Sequence, residues 1–173
     1  MPTYISLLRG INVGGQKKIK MDELKKLYDS LGFKEVKTGI QSGNVIFSSP
    51  AKDAEVLAKR VEQRIKEVFG LEVSVLIRTP EELQNVIKAN PFANEDNARL
   101  YVTFLAGSPK NIPINEITNV KDTKEKFFIA NKEIYLFCPN GYGKTKLSNA
   151  FFERKLKVIA TTRNLKTIKA LLN

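Results

Sequence analysis

The order of the apolar-periodic segments constrains the fold of this chain most strongly. YISLLR near the N-terminus predicts a strand, MDELKKLYDSLGF predicts a helix that ends at Gly32, and EVKTGI and NVIFSS predict two short strands. A long helix follows from about residue 53 to residue 69 with Gly70 as its stop, and EVSVLIR supplies a fourth strand. Residues 3–78 therefore follow the order βαββαβ, which is the ferredoxin-like pattern.

The second half of the chain repeats this order after a linker. In TPEELQNVIK, Thr79 is the expected N-cap and Glu82 completes a capping box, and the polar loop ANEDNA follows. RLYVTFLAG, KFFIA and EIYLFC then predict strands, INEITNV and LSNAFFERKL predict helices, and VIAT is a candidate last strand before the closing helix RNLKTIKALL. We predict an α+β fold of two ferredoxin-like βαββαβ-type lobes, as a duplication would give, with antiparallel sheets and helices on one face. The predicted boundaries are 1–78 for the first lobe, 79–98 for the linker and 99–173 for the second lobe with its C-terminal helix.

The residue types that are missing restrict the chemistry. The chain has no histidine and one cysteine, Cys138. These counts exclude a histidine-activated nucleophile, a histidine metal site and a zinc cluster, and we predict neither a metal nor a cofactor. Any catalysis would use lysine, tyrosine, carboxylates, hydroxyls, backbone amides or a hard cation held by oxygen atoms, and no catalytic residue is assigned. Because Cys138 cannot form an intramolecular disulfide and no apolar run reaches membrane-spanning length, we expect a cytoplasmic protein without a membrane partner.

The net charge of +11 is concentrated at the two ends of the chain. Residues 1–20 carry four basic side chains and no acid, and residues 121–173 carry twelve basic and four acidic side chains. If the two ends meet in the fold, they form one electropositive surface that concentrates anions. If they stay apart, they form two separately solvated basic faces.

The stretch LLRGINVGGQKKIK joins the first strand to the first helix. In a ferredoxin-like sheet, this loop and the hairpin that contains Ser42 lie at the same edge, where the first helix also begins with free N–H groups. Glycine amides, basic side chains and the polar hairpin residues then suit a phosphate, a carboxylate or an RNA backbone. The predicted anion-binding residues are Arg9, Gly10, Asn12, Gly14, Gly15, Lys17, Lys18, Ser42, Gly43, Asn44 and, from the basic C-terminal end, Arg163. The alternative is that the glycines only turn the loop and the hairpin.

Four blocks that occur in order, LLRGINVGG, IQSGNVIF, FFERKL and ATTRNLKT, resemble the bacterial domain of unknown function 1697 family. The resemblance spans essentially the whole chain and implies a small cytoplasmic bacterial protein without assigning an activity. Two positions depart from the family pattern: Gly39 stands where a tyrosine is usual, and Leu165 where a tryptophan usually follows Arg-Asn. If those aromatic residues contact a ligand in relatives, this chain lacks the contact; if they are packing residues, nothing functional follows.

The remaining motifs are weaker. GYGKTKLS ends like a phosphate-binding P-loop, but Cys138 occupies the position of the first glycine, which favours a basic turn or an anion site at the next helix. The pairs Phe127-Phe128 and Phe151-Phe152 are expected in the core. RNA recognition by base stacking is not favoured, because NVIFSS offers only Phe47.

Three functions from different classes stay open. The first is a module that binds a phosphorylated or polyanionic ligand, such as a nucleic-acid backbone, through the loop at residues 9–18 and the polar residues 42–44. The second is a metal-independent enzyme acting on a small anionic substrate, with Lys17 or Tyr142 as proton-transfer groups. The third is an assembly protein that pairs with a partner or with itself. We rank the functions in this order and expect a monomer or a homodimer.

Overall fold

The computed structural model describes residues 1–39 and 42–173, and the chain forms two compact units. The first unit comprises Met1–Gln84 with Ala170–Asn173, and the second comprises Asn85–Lys169. Each unit holds a four-stranded antiparallel sheet with helices packed against it. The predicted α+β fold of two ferredoxin-like lobes is therefore confirmed. Within the described residues, no helix combines the length and the apolar character needed to cross a membrane.

The first unit has the predicted βαββαβ order. Its elements are β1 (Thr3–Leu8), α1 (Met21–Ser30), β2 (Lys34–Lys37), β3 (Asn44–Ser48), α2 (Ala54–Phe69) and β4 (Val75–Arg78). The strands are arranged β2-β3-β1-β4, and β1 pairs antiparallel with both β3 and β4. The end of β1 therefore lies beside the beginning of β3 and the beginning of β4, which fixes where the loop after β1 emerges.

The second unit repeats the topology after a linker helix, α3 (Pro80–Lys88), in which the boundary between the units falls. Its elements are β5 (Leu100–Leu105), α4 (Ile114–Val120), β6 (Lys126–Ala130), β7 (Glu133–Phe137), α5 (Asn149–Leu156) and β8 (Ala160–Asn164). The closing helix α6 (Leu165–Ala170) follows, and its last residue is the first of the C-terminal residues that belong to the first unit. The strands are arranged β6-β7-β5-β8. Only the last two residues of VIAT, Ala160 and Thr161, lie in β8, which continues to Asn164, so the start of the predicted closing helix RNLKTIKALL is strand instead. The predicted capping box also forms, because Thr79 Oγ1 accepts the Glu82 N–H at 3.1 Å and Glu82 Oε1 accepts the Thr79 N–H at 3.0 Å.

Each sheet packs its own hydrophobic core against its helices. In the first unit the aromatic rings of Phe33 and Phe47 stack with centroids 4.4 Å apart, and Tyr28 meets both rings edge-on. In the second unit, Phe151 and Phe152 from α5 are both buried. Burying one such side chain contributes about 1.5–3 kcal/mol, so these clusters hold the two sheets in shape.

One predicted core residue lies at the surface instead. Phe128 on β6 is 51% exposed, whereas Phe127 packs against the core of the second unit. Successive side chains of a strand point to opposite faces, and β6 is an edge strand, so only one member of this pair reaches the helix side of the sheet.

Candidate functional site

Three segments of the first unit meet at the edge of the sheet where β1 ends. The Leu8 N–H donates to the Gly43 carbonyl at 2.8 Å, and the Arg9 N–H donates to the Ser74 carbonyl at 2.9 Å. The glycine-rich loop, which we define as residues 9–20, therefore starts between the β2–β3 hairpin and the segment that leads into β4. Gln41, which the sequence predicts in the turn of that hairpin, lies outside the described residues.

The tip of the glycine-rich loop is a tight turn. The Gln16 N–H donates to the Val13 carbonyl at 2.9 Å, and the two central residues, Gly14 and Gly15, have φ angles of +58° and +77°. Positive φ at both central positions is typical of a type I′ turn, which glycine adopts without steric cost. Both glycines are exposed, and within residues 1–39 and 42–173 neither amide has a hydrogen-bond acceptor. The tip therefore offers two N–H donors that have no acceptor among the described residues.

The base of the loop is held closed by Asn12. Its Oδ1 accepts the Ile19 N–H at 2.8 Å and its Nδ2 donates to the Ile19 carbonyl at 2.9 Å. The neighbouring side chains of Ile11 and Ile19 are buried in the core of the first unit. Asn12 thus uses both side-chain polar atoms to shape the loop, which makes it a positioning residue.

The basic side chains of the loop divide into two pairs. Lys17 is half-buried and its Nζ donates to the Glu72 carbonyl at 2.6 Å, while Arg9 is half-buried at the sheet edge. Lys18 and Lys20 are exposed. We therefore expect Lys18 and Lys20, more than Lys17, to meet an incoming anion.

A cavity of about 520 Å³ lies on one side of the loop and is lined by Asn12, Gly15, Lys18, Ile19, Lys20 and Glu23. Lys20 is the N-cap residue of α1 and makes no side-chain capping hydrogen bond. The first N–H groups of a helix have no backbone partner within the helix, and its dipole favours negative charge there. In α1 the Glu23 N–H donates to Asp22 Oδ1 at 2.9 Å, so one of these donors is already used and the first turn carries two carboxylates. The cavity thus combines two lysines with the beginning of a helix, and Glu23 is the one acid among its lining residues.

Sequence reasoning did not select Lys20 and Glu23. The signal for Lys20 was present in the sequence, since it closes the run QKKIK immediately before the first residue of α1. Its place at the N-cap, where serine, threonine, aspartate or asparagine is usual, distinguishes it from an ordinary surface lysine.

The hairpin residues contribute unequally. Ser42 is exposed, whereas Asn44 is buried at 1% exposure at the start of β3, opposite Leu7. Gly43 has a φ of +86° and accepts the hydrogen bond from Leu8. A ligand at the surface would reach Ser42 first, and Gly43 and Asn44 form the framework beneath it.

Arg163 belongs to the second unit, where it lies on β8 opposite Val102. Its Nη1 donates to Thr161 Oγ1 at 2.6 Å and to the Thr162 carbonyl at 3.0 Å. Burial lowers the pKa of the guanidinium to about 10, so it stays charged at neutral pH. Its meeting with the glycine-rich loop stays a prediction.

The polar residues around the P-loop-like segment form a structural network. The Tyr142 hydroxyl donates to Thr162 Oγ1 at 3.3 Å and accepts the Asn149 N–H at 2.6 Å, and Ser148 caps α5. Burial raises the pKa of Tyr142, so its hydroxyl stays protonated at neutral pH and is a poor general base. The Tyr142 hydroxyl therefore links the first residue of α5 to β8. This geometry favours a structural role for the P-loop-like segment.

Cys138 is fully buried in the core of the second unit. Burial raises the pKa of its thiol to about 11, and the nearby Glu125 carboxylate acts in the same direction. Leu165, one of the two positions that depart from the resemblance, is also buried, whereas Gly39, the other, is exposed with a φ of +101°. The side chain at position 165 is therefore a packing residue in this chain.

Two sheets of identical strand order define this chain as an α+β protein with two ferredoxin-like units, and the first carries a basic, glycine-rich loop at its sheet edge. The chain belongs to the family described as protein of unknown function (DUF1697), which matches residues 1–135. It is similar in fold to a solved structure, that of the conserved bacterial protein SP0830 from Streptococcus pneumoniae. The identity is 24% and the TM-score 0.70, over 98% of this chain and 96% of that chain. No curated protein matches the chain. The predicted family membership is confirmed: LLRGINVGG and IQSGNVIF lie within the matched residues, whereas FFERKL and ATTRNLKT lie beyond them.

Proposed function

We propose that this protein binds a phosphorylated or polyanionic ligand at the glycine-rich loop of its first unit. The observation that carries the proposal is the cavity of about 520 Å³ that joins Gly15, Lys18 and Lys20 at the beginning of α1. Backbone donors, positive charge and a helix N-terminus are the three elements that phosphate sites in proteins combine. A cytoplasmic monomer or homodimer is part of this proposal.

Internal contacts hold the glycine-rich loop in a folded conformation, so a ligand can bind without a disorder-to-order step. Asn12 closes its base, the turn at Gly14 and Gly15 closes its tip, and Ile11 and Ile19 anchor it to the core. A loop that is already folded loses little conformational entropy when a ligand binds, so its contacts translate more fully into affinity.

The charge of the loop supports an anionic ligand. Residues 1–20 carry four basic side chains and no acid, and the exposed pair Lys18 and Lys20 outnumbers Glu23 in the cavity. Lysine contacts to single-stranded nucleic acid release condensed counterions, so each neutralised phosphate contributes about 0.7 to the slope of log K against log salt. The proposal is therefore testable through salt dependence.

The test is a fluorescence anisotropy titration of labelled single-stranded RNA across a salt series, with the unmodified protein and the variant Lys18→Ala/Lys20→Ala. We expect the variant to bind more weakly and its salt slope to decrease by about 1.4, twice the value for one phosphate contact. The matched control is Lys52→Ala/Lys59→Ala, which removes two exposed lysines near and on α2. These lysines lie near the end of β3 that is opposite the glycine-rich loop.

Direct titration with inorganic pyrophosphate distinguishes the sources of the phosphate group. If pyrophosphate binds with an affinity that Lys18→Ala/Lys20→Ala lowers while RNA does not bind, the ligand class is a small phosphorylated molecule. The proposal is wrong if the loop variant and the control variant bind both probes as the unmodified protein does.

A further inference from the structure

The second unit contains a larger cavity to which the glycine-rich loop does not contribute. Its volume is about 700 Å³, which lies within the usual range for small-molecule sites. It is formed by the segment after β5, the first turn of α4 and the end of α5, and it is lined by Ser108, Lys110, Asn111, Ile112, Pro113, Glu116, Lys155, Leu156, Lys157 and Val158. All of these residues belong to the second unit.

The charges of this cavity match a doubly negative group. Three lysines face one carboxylate, that of Glu116, which leaves an excess of two positive charges. Lys155 is largely covered, with 30% of its side chain exposed, and its Nζ lies 3.7 Å from Glu116 Oε2, a long ion pair. A phosphate monoester carries close to two negative charges at neutral pH, because its second pKa is about 6.

The uncharged residues of the lining suit the part of a phosphate monoester that lies beyond its phosphate group. Asn111 supplies a hydrogen-bonding amide, whereas the Ser108 hydroxyl already donates to Asn131 Oδ1. Apolar walls are supplied by Ile112, Pro113, Leu156 and Val158. Ile112 is 43% exposed, which leaves apolar surface open at the cavity. A site with a charged region and an apolar region favours a ligand that has both a charged group and an apolar group.

The backbone at Lys157 gives an independent indication. Lys157 is the C-cap of α5 with φ 55° and ψ 44°, a left-handed conformation that glycine occupies at helix ends without steric cost. A lysine at this position destabilises the helix end relative to glycine, and backbone strain of this kind clusters at binding sites. This left-handed turn places Lys157 at the end of α5, beside the cavity.

We propose that this cavity binds a small phosphate monoester with an apolar body, with Lys110, Lys155 and Lys157 holding the phosphate. The site shares no residue with the glycine-rich loop and does not depend on the function proposed for it. Glu116 opposes the bound anion and releases Lys155 when the ligand enters.

The test is isothermal titration calorimetry with phenyl phosphate, compared with inorganic phosphate. We expect phenyl phosphate to bind at least about tenfold more tightly than inorganic phosphate, because its ring contacts the apolar walls. The variant Lys110→Ala/Lys157→Gly should lose at least about tenfold in affinity for phenyl phosphate, since two of the three cations are removed. Glu116→Gln should raise the affinity about fivefold, because one unit of charge repulsion at the surface is removed.

Two control variants establish whether phenyl phosphate binds at this cavity and nowhere else on the protein. Lys124→Ala/Lys166→Ala removes two exposed lysines of the second unit that do not line the cavity and should leave the affinity unchanged. Lys18→Ala/Lys20→Ala should also leave it unchanged, whatever its effect on RNA binding. The proposal is overturned if phenyl phosphate does not bind at millimolar concentration, if the cavity variant binds it normally, or if the loop variant abolishes its binding.

Discussion

The replacement of Asn12 by alanine tests whether the glycine-rich loop is folded before a ligand arrives. Asn12 makes two hydrogen bonds to the backbone of Ile19, at 2.8 and 2.9 Å, and its own φ is +56°. Alanine removes both hydrogen bonds and places a residue without asparagine's tolerance for positive φ in the left-handed region. The variant should therefore open the base of the loop.

The decrease in the free energy of unfolding caused by Asn12→Ala follows from these contacts. Each hydrogen bond contributes a net ~0.5–1.5 kcal/mol, and the left-handed backbone adds up to ~1 kcal/mol for a residue that avoids it. We expect a loss of about 2–3 kcal/mol in the free energy of unfolding of the first unit, which corresponds to a decrease in Tm of roughly 5–10 °C for a chain of this size. RNA affinity should fall as well, because the loop must then be ordered on binding.

Two further substitutions separate the contribution of the two hydrogen bonds from that of the left-handed backbone. Asn12→Gly keeps a residue that accepts positive φ and should lose only the hydrogen-bond part, whereas Asn12→Asp keeps the acceptor for the Ile19 N–H and should fall between the unmodified protein and Asn12→Ala. Urea unfolding and anisotropy titrations of the three variants measure both effects. A loss below about 0.5 kcal/mol in Asn12→Ala, with unchanged RNA affinity, would refute a loop held in place by Asn12.

Three other expectations concern stability. The hydroxyls of Ser6 and Tyr28 are buried in the first unit close to each other, and neither has another hydrogen-bond partner among the described residues. Ser6→Ala/Tyr28→Phe removes both hydroxyls together and should therefore be neutral or stabilising by about 1 kcal/mol in urea unfolding, and a clear destabilisation would contradict this. Lys157→Gly removes a left-handed lysine and should raise Tm by about 2–4 °C for ~1 kcal/mol; an unchanged or lower Tm would show that the position is not strained. The pKa of Cys138 is raised by burial from 9.0 to about 11, so the neutral thiol stabilises the fold below pH 9 and that stability is lost as the pH rises toward 11. Urea unfolding at increasing pH should therefore show a smaller alkaline loss for Cys138→Ala than for the unmodified protein, and equal losses would exclude this cause.

The order of the elements was accessible from the sequence because it depends on local signals. The helix stop at Gly70 adopts the expected left-handed conformation, with a φ of +68°, and the Thr79–Glu82 capping box forms as its spacing requires. Apolar periodicity located seven of the eight strands in the described residues and the first two residues of the eighth, β8, and the βαββαβ order placed the first and third strands of the first sheet side by side.

The internal geometry of the site was less accessible because it depends on contacts between distant residues. The side chain of Lys17 donates to the carbonyl of Glu72, 55 residues away in the sequence. Composition alone predicts that this lysine binds an anion, whereas in the structure its ammonium group contacts the protein backbone. Asn12 and Lys17 both adopt positive φ, although neither is glycine, and no periodicity reports that conformation. The cavity of the second unit joins residues 108–116 to residues 155–158, so no continuous motif marks it.

The most direct measurement for the central claim is a titration of isotope-labelled protein with a short single-stranded RNA at low salt, followed through the backbone amide resonances. Anion binding at the glycine-rich loop predicts the largest shifts at Gly14, Gly15 and the first residues of α1, with saturation in a single binding isotherm. Shifts confined to other segments, or no shift at these amides when the RNA is in large excess, would contradict it.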